Sequence, residues 1–226
     1  MQFFTHEACI LCGASSAQDF CQACYDHLPR LPLYHCPTCL WPVPTTELCG
    51  ACLSKPPAFT RTIAAVRYTF PIDALIHSLK YQGNLAIAPI LAGLLFAKLG
   101  SIDQKPDLII PLPLHPIRLR ERGYNQAMEL SRYLARHMGI PLLPTSCSRI
   151  RHTPPQTELP WKDRHKNIRK AFSCGIDLSG QHIAVVDDVM TTGATLNEFA
   201  KILRQQGAVE ISNWVVARTL PETGSV

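Results

Sequence analysis

The sequence predicts an α/β domain with a mostly parallel sheet, carried behind a small cysteine-rich head. Short β-branched runs alternate with helical patterns along residues 58–226, as strand–helix–strand units require. Eight of the ten cysteines fall within the first 52 residues, apart from everything else. The stretch 54–58, Ser-Lys-Pro-Pro-Ala, reads as the joint between the two parts.

Taken in order, residues 62–70 are rich in β-branched and aromatic side chains and predict the first strand. Helical patterns follow at 71–81 and 85–99, with Asn84 as the candidate N-cap of the second and Pro89 in its first turns. Residues 85–97 are uninterrupted apolar, yet shorter than the ~20 residues a bilayer span needs, so a buried helix is expected. Residues 107–111 predict a short strand ending at prolines. Residues 125–138 predict a helix with Ala127, Leu130, Leu134 and Met138 inward. A strand over 141–147, a polar basic stretch over 149–167, a strand over 182–188, a helix over 194–206 and a last strand over 211–217 complete the reading. In such a sheet, ligands sit at the strand C-termini.

Composition is that of a soluble globular protein, with 46% hydrophobic and 17% charged residues. The net charge of +5 is uneven: residues 115–170 hold 12 Lys and Arg against 4 Asp and Glu. A basic concentration of that kind suits a polyanionic partner, although a solvated basic surface reads the same. The first residues lack a basic start and a long apolar run, so no secretory signal is read and a cytoplasmic location is expected.

The head holds four Cys-x-x-Cys pairs: Cys9/Cys12, Cys21/Cys24, Cys36/Cys39 and Cys49/Cys52. Eight thiolates supply two tetrahedral four-cysteine sites, the geometry of structural Zn²⁺. Glycine after Cys12 and Cys49, and proline after Cys36, suit the bends of metal knuckles. Sequential and interleaved pairings are both possible, and the short gaps favour sequential. Apolar residues are too few here for a core, so metal is expected to supply the folding energy. Cys147 and Cys174 stand apart near apolar positions and read as core residues.

The sharpest signal lies at 185–196, Val-Val-Asp-Asp-Val-Met-Thr-Thr-Gly-Ala-Thr-Leu. An apolar strand meets two adjacent carboxylates, then a small hydroxylated loop, then a helix whose apolar face is Leu196, Phe199, Ala200 and Leu203. A helix N-terminus is an anion site, Gly193 permits close backbone approach, and Thr191, Thr192 and Thr195 can add donors. The carboxylates suit vicinal sugar hydroxyls or Mg²⁺. The whole describes a sugar-phosphate site.

This stretch resembles the 5-phosphoribosyl-1-pyrophosphate (PRPP) motif of type I phosphoribosyltransferases. The resemblance implies that Asp187 and Asp188 hold the ribose hydroxyls and that Thr191, Thr192, Gly193, Ala194 and Thr195 hold the 5′-phosphate. Three further segments extend it: 111–115 with Arg118, Arg120, Arg122, Gly123, Tyr124, Asn125 and Gln126; 151–159 with Arg164, Asn167, Ala171 and Phe172; and 79–83, Leu-Lys-Tyr-Gln-Gly. With the cysteine pairs, these resemble the ComF family of competence proteins over nearly the whole chain. The implied organisation is a double zinc ribbon over 1–57 and a phosphoribosyltransferase-like domain over 58–226.

That family implies PRPP as ligand and Mg²⁺ beside it. Residues 111–115, including His115, take the place of the pyrophosphate loop, and 149–167 that of a lid. Arg149, Arg151, Lys162, Arg164 and Lys166 are lid cations, with Arg151 and Arg164 matching the family pattern as catalytic candidates beside Asp187 and Asp188. Purine-salvage relatives carry an aspartate where this chain has Thr191, orotate-type relatives do not, and no base-binding hood is recognisable. Two readings follow. One is a Mg²⁺-dependent phosphoribosyltransferase with an open acceptor. The other is a non-catalytic PRPP- or single-stranded-DNA-binding module in natural transformation and DNA uptake, with Arg118, Arg120 and Arg122 on DNA phosphates and Tyr124, His152 or Trp161 stacking on bases.

Overall fold

The computed structural model describes residues 8–100, 102, 104–151 and 168–221. Six strands and seven helices are named here among them, beginning with two short helices in the head, α1 (Gln22–Asp26) and α2 (Gly50–Ser54). The body runs β1 (Arg61–Arg67), α3 (Ile72–Tyr81), α4 (Ile87–Leu99), β2 (Leu108–Pro111), α5 (Pro116–Arg122) and α6 (Gln126–Met138). It continues with β3 (Cys147–Arg149), β4 (Phe172–Cys174), β5 (His182–Met190), α7 (Ala194–Gln205) and β6 (Glu210–Arg218).

Four strands form one parallel sheet in the order β1-β6-β5-β2. β5 is central and buried at every position except Val189, as expected of a strand covered on both faces. Neighbouring residues along a strand therefore enter different cores. Ile109, Val186 and Val216 join one apolar cluster with α3, α4 and most of α6; Ile110, Val185 and Val215 join another with α7. α4 buries Ile87, Ala88, Ile90, Leu91, Ala92, Leu95 and Leu99, which explains why its sequence is apolar nearly all round.

Ala127, Leu130, Leu134 and Met138 are buried on α6, and Leu196, Phe199, Ala200 and Leu203 on α7. Several expected boundaries shift. Ala86, not Asn84, occupies the N-cap position of α4, and no side chain caps that helix. Residues 141–147 do not form a strand. Leu142 makes a single parallel bridge to Ile109, and the true strand β3 begins at Cys147 to pair antiparallel with β4. Helix α5 is additional: Pro116 sits at its first position and the His115 imidazole Nδ1 accepts from Ile117 N at 3.2 Å. Cys147 and Cys174 are buried as expected, but they are not apart. They face each other across β3 and β4 as a disulfide.

The head does not stand clear of the body. Phe20 and Leu28 are buried in the same cluster as Val66 and Ile72, and Leu40 in the same cluster as Phe59 and Ala64. Residues just after it are clamped to α7: Ala58 N donates to Asn197 Oδ1 at 2.7 Å, and Arg204 Nε donates to Ala58 O at 3.0 Å. Among the described residues no helix is long and apolar enough to cross a membrane.

Candidate functional site

β5 does not stop at its acids. It runs two residues further, because β6 continues beside it through the pairs Val189↔Ala217 and Met190↔Arg218. Asp187 and Asp188 are thus held in extended backbone on the central strand, near its C-terminal end. Both are buried, at 9% and 2% exposure. Asp188 meets the Lys80 ammonium at 2.7 Å, delivered by the last turn of α3. The Asp187 carboxylate accepts from Asp188 N at 2.9 Å.

Burial and the neighbouring Asp188 charge push the Asp187 carboxyl up to about 8, and Lys80 offsets only part of this. Burial alone would depress Lys80. The Asp188 and Asp187 charges outweigh it and hold Lys80 above the usual lysine range. One carboxylate is therefore neutralised by an ion pair, and its neighbour tends to keep a proton. A divalent cation or sugar hydroxyls arriving here would find two oxygen-donor groups, a donor set that suits Mg²⁺.

The loop after β5 turns sharply. Gly193 has φ +77° and precedes the first residue of α7, and a Cβ there would lie 2.6 Å from Met190 Cε. Ala194 N donates to Thr192 Oγ1 at 3.2 Å, and Asn197 N donates to Gly193 O at 2.8 Å. Thr191, Thr192 and Thr195 are half-buried, whereas Gly193 and Ala194 are buried. The loop therefore opens a helix of three turns directly after the acids, with hydroxyls on its accessible side.

The basic residues divide. Arg118 and Arg122, with Lys80, Tyr81, Gly83, Glu121 and Tyr124, line a small cavity of about 200 Å³ beside the acids. Arg118 pairs with Glu121 at 3.0 Å, and Arg122 lies over the Tyr81 ring at 5.6 Å and bonds Gln126. Arg120, on the same helix, is exposed and does not line that cavity. The Tyr124 hydroxyl bonds Leu79 O, which ties the chain just before α6 to α3. Arg149 is packed over Phe172, where burial depresses its basicity and the Asp187 charge opposes that. Arg151 donates to Arg169 O at 2.5 Å. His152, Trp161, Lys162, Arg164, Lys166 and Asn167 lie outside the described residues.

The cysteines gather sequentially, as Cys9, Cys12, Cys21, Cys24 and as Cys36, Cys39, Cys49, Cys52, with ligand atoms of each set within 4.8 Å of one another. Cys12 and Cys21 sulfurs are 3.7 Å apart, and Cys39 and Cys49 sulfurs 3.6 Å. A tetrahedron with ~2.3 Å Zn–S bonds separates its sulfurs by about 3.8 Å, so both tetrads fit structural zinc. The bend after Cys12 is a glycine as expected, and the others differ. Gly13 (φ +73°) and Leu40 (φ +62°) follow the two first knuckles, whereas Gly50 begins helix α2. Leu40 accepts that strained backbone while burying its side chain in the body's core.

The second tetrad also faces the loop after β5. A cavity of about 1030 Å³ lies between them, bounded by Trp41, Cys49 and Lys55 on one side and Thr192, Gly193 and Lys201 on the other. Arg218, at the end of β6, crosses this junction. Two residues at the site thus carry roles the sequence reading did not assign. Lys80 lies in the 79–83 segment, where nothing local signals its meeting with Asp188. Arg218 sits in a buried strand, and an arginine there is itself the signal, since a buried cation needs partners.

Residues 78–223 match the phosphoribosyl transferase domain family. The chain is 36% identical to competence protein F of Haemophilus influenzae over 230 residues, covering 96% of this chain and 99% of that protein. It is 36% identical to the DNA utilization protein YhgH of Escherichia coli K12 over 191 residues, covering 82% and 84%. Competence protein ComFC of Bacillus subtilis is 23% identical over 93% of this chain and 95% of its own length. Among solved structures, the purine phosphoribosyltransferase of Pyrococcus horikoshii is 22% identical, covering 61% of this chain and 89% of its own, with a TM-score of 0.37. Matched at 36% identity along nearly its whole length, with two four-cysteine sets that fit a double zinc ribbon ahead of a phosphoribosyl transferase domain, the chain belongs to the competence protein F family.

Proposed function

We propose that this protein holds PRPP, or a closely related ribose 5-phosphate, together with Mg²⁺, and transfers the phosphoribosyl group to an acceptor. In this reading residues 1–57 are the double zinc ribbon and 58–226 the phosphoribosyltransferase-like domain. The observation that carries it is the buried pair Asp187–Asp188, with Lys80 at 2.7 Å, one short loop before a glycine-opened helix N-terminus. Asp187 and Asp188 receive the ribose hydroxyls, and the backbone of 191–195 receives the 5′-phosphate. His115, Arg151 and Arg164 serve the pyrophosphate end. Mg²⁺, when bound, draws charge off the leaving pyrophosphate. The protein's own share is to orient the sugar, supply cations from Lys80 and the basic cavity, and exclude water.

The relatives' names, competence protein and DNA utilization protein, support a role in the handling of DNA taken up by a bacterial cell, a role this reading sets in the cytoplasm. A second reading, DNA or PRPP binding without turnover, draws on Arg118 and Arg122 around a cavity with exposed Tyr81 at its edge. Arg120 extends that basic helix on its exposed side.

Incubation with labelled PRPP, Mg²⁺ and a panel of nucleophilic acceptors distinguishes the two. Pyrophosphate release with at least one acceptor supports transfer. Absence of release with all of them, together with salt-sensitive binding of single-stranded DNA, supports the binding module. Asp188→Asn is expected to weaken PRPP binding by about tenfold or more while the far-ultraviolet spectrum stays that of the wild type. Unchanged affinity in that variant removes the site assignment.

A further inference from the structure

We propose that Arg218 is a positioning residue that makes the ribose-phosphate loop depend on the second four-cysteine unit being closed around its metal. The inference rests on the reading of residues 187–195 as that site. Arg218 is 3% exposed, at the C-terminal end of β6. Its Nε donates to Cys39 O at 2.8 Å, inside the first knuckle of the second tetrad. Its Nη1 donates to Met190 O at 3.1 Å, to Thr191 O, and to Thr219 O at 2.6 Å. Met190 and Thr191 begin the turn that runs through Thr192 to Gly193. A single guanidinium thus bonds a carbonyl of the tetrad and the carbonyls that fix where the phosphate loop begins.

Charge adds to geometry. Four thiolates around one Zn²⁺ carry a formal charge of about −2. The Arg218 guanidinium, bonded to Cys39 O, lies beside that charge when the metal is bound. Emptying the tetrad frees the Cys39 knuckle, so the buried guanidinium loses one of the acceptors that hold it. The remaining bonds then hold the loop to a strand end that has lost its own anchor. The first tetrad's unit meets the body instead through Phe20 and Leu28 beside Val66 and Ile72, and through Arg67 N donating to Pro29 O at 2.8 Å.

Backbone hydrogen exchange and PRPP titration of the full-length, zinc-loaded protein test this separately. Arg218→Met is expected to keep zinc in both tetrads by native mass spectrometry. It should raise exchange at residues 190–195 and weaken PRPP binding, each by about tenfold. Exchange in α4 should stay at the wild-type level, which a general loss of stability would not allow. Cys49→Ser should reproduce the same local change with zinc lost from the second tetrad. Arg218→Lys keeps the charge without the fork and should fall between Arg218→Met and the wild type. Wild-type exchange at 190–195 in both Arg218→Met and Cys49→Ser overturns the coupling. If exchange changes as expected but wild-type protein fails to bind PRPP, the coupling stands and the ribose-phosphate reading falls.

Discussion

The head and the body of this protein are held together by different physics. The body has a sheet covered on both faces, with β5 buried along nearly its whole length and α4 apolar nearly all round. The head has two helices of five residues each and a cluster made of Cys36, Cys49 and Cys52. Such short helices are unstable by themselves, so the metal supplies what a core does elsewhere. Yet the separation is incomplete. Phe20, Leu28 and Leu40 are buried in the body's two clusters, so the head anchors its own chain by borrowing apolar surface. The tetrads fit a metal that would fix the knuckles, and the body's core fixes where they sit.

The largest expected break in this comparison is removal of zinc. Each structural site contributes on the order of 10 kcal/mol of apparent binding energy. Chelation should therefore abolish exchange protection across 36–52 while the β2–β5–β6 sheet keeps its own. Protection surviving in metal-free head would mean that borrowed apolar contacts suffice. A smaller break comes from the other side. Leu95→Ala empties a fully buried site in the cluster shared with Phe20 and Leu28, and should cost about 2–5 kcal/mol in urea denaturation. Both zinc ions should remain bound in the folded variant, because no cysteine contacts that cluster's centre. Loss of zinc at equal folded fraction would show that the two regions are one cooperative unit.

The smallest effect is a pH dependence confined to the acidic strand. Folding raises the Asp187 carboxyl from 3.8 to about 8, so between those values the folded state holds a proton that the unfolded state releases. Wild-type stability must then fall as pH rises through that window. Asp187→Asn keeps an acceptor for Asp188 N without this titration. Its stability relative to the wild type should grow by on the order of 1 kcal/mol per pH unit between about pH 6 and pH 8. Comparing the two proteins at each pH cancels the titration of the zinc ligands. A flat difference would show that Asp187 ionises normally.

Some of this was legible before any coordinates. The spacing of Leu196, Phe199, Ala200 and Leu203 announced α7 and its buried face, because helical periodicity is local. The Cys-x-x-Cys pairs announced two tetrads, because a knuckle places two ligands through its own backbone. Helix α5 is signalled in sequence only by Pro116 at its first turn, which reads the same as the prolines before it. The strand end after Asp188 was misplaced because its last pairs depend on β6, far away in sequence.

The sequence by itself determined the α/β class, the order of the elements, the acidic pair with its glycine-opened helix, and the eight metal ligands. Each rests on periodicity, spacing or backbone freedom within a few residues. Only the tertiary structure decided that Lys80 neutralises Asp188, that Cys147 meets Cys174, and that Arg218 spans from Cys39 to the loop at Thr191. Those are encounters between residues far apart in the chain. Burial makes them obligatory, since a charge taken from water must find a partner and no local pattern names it.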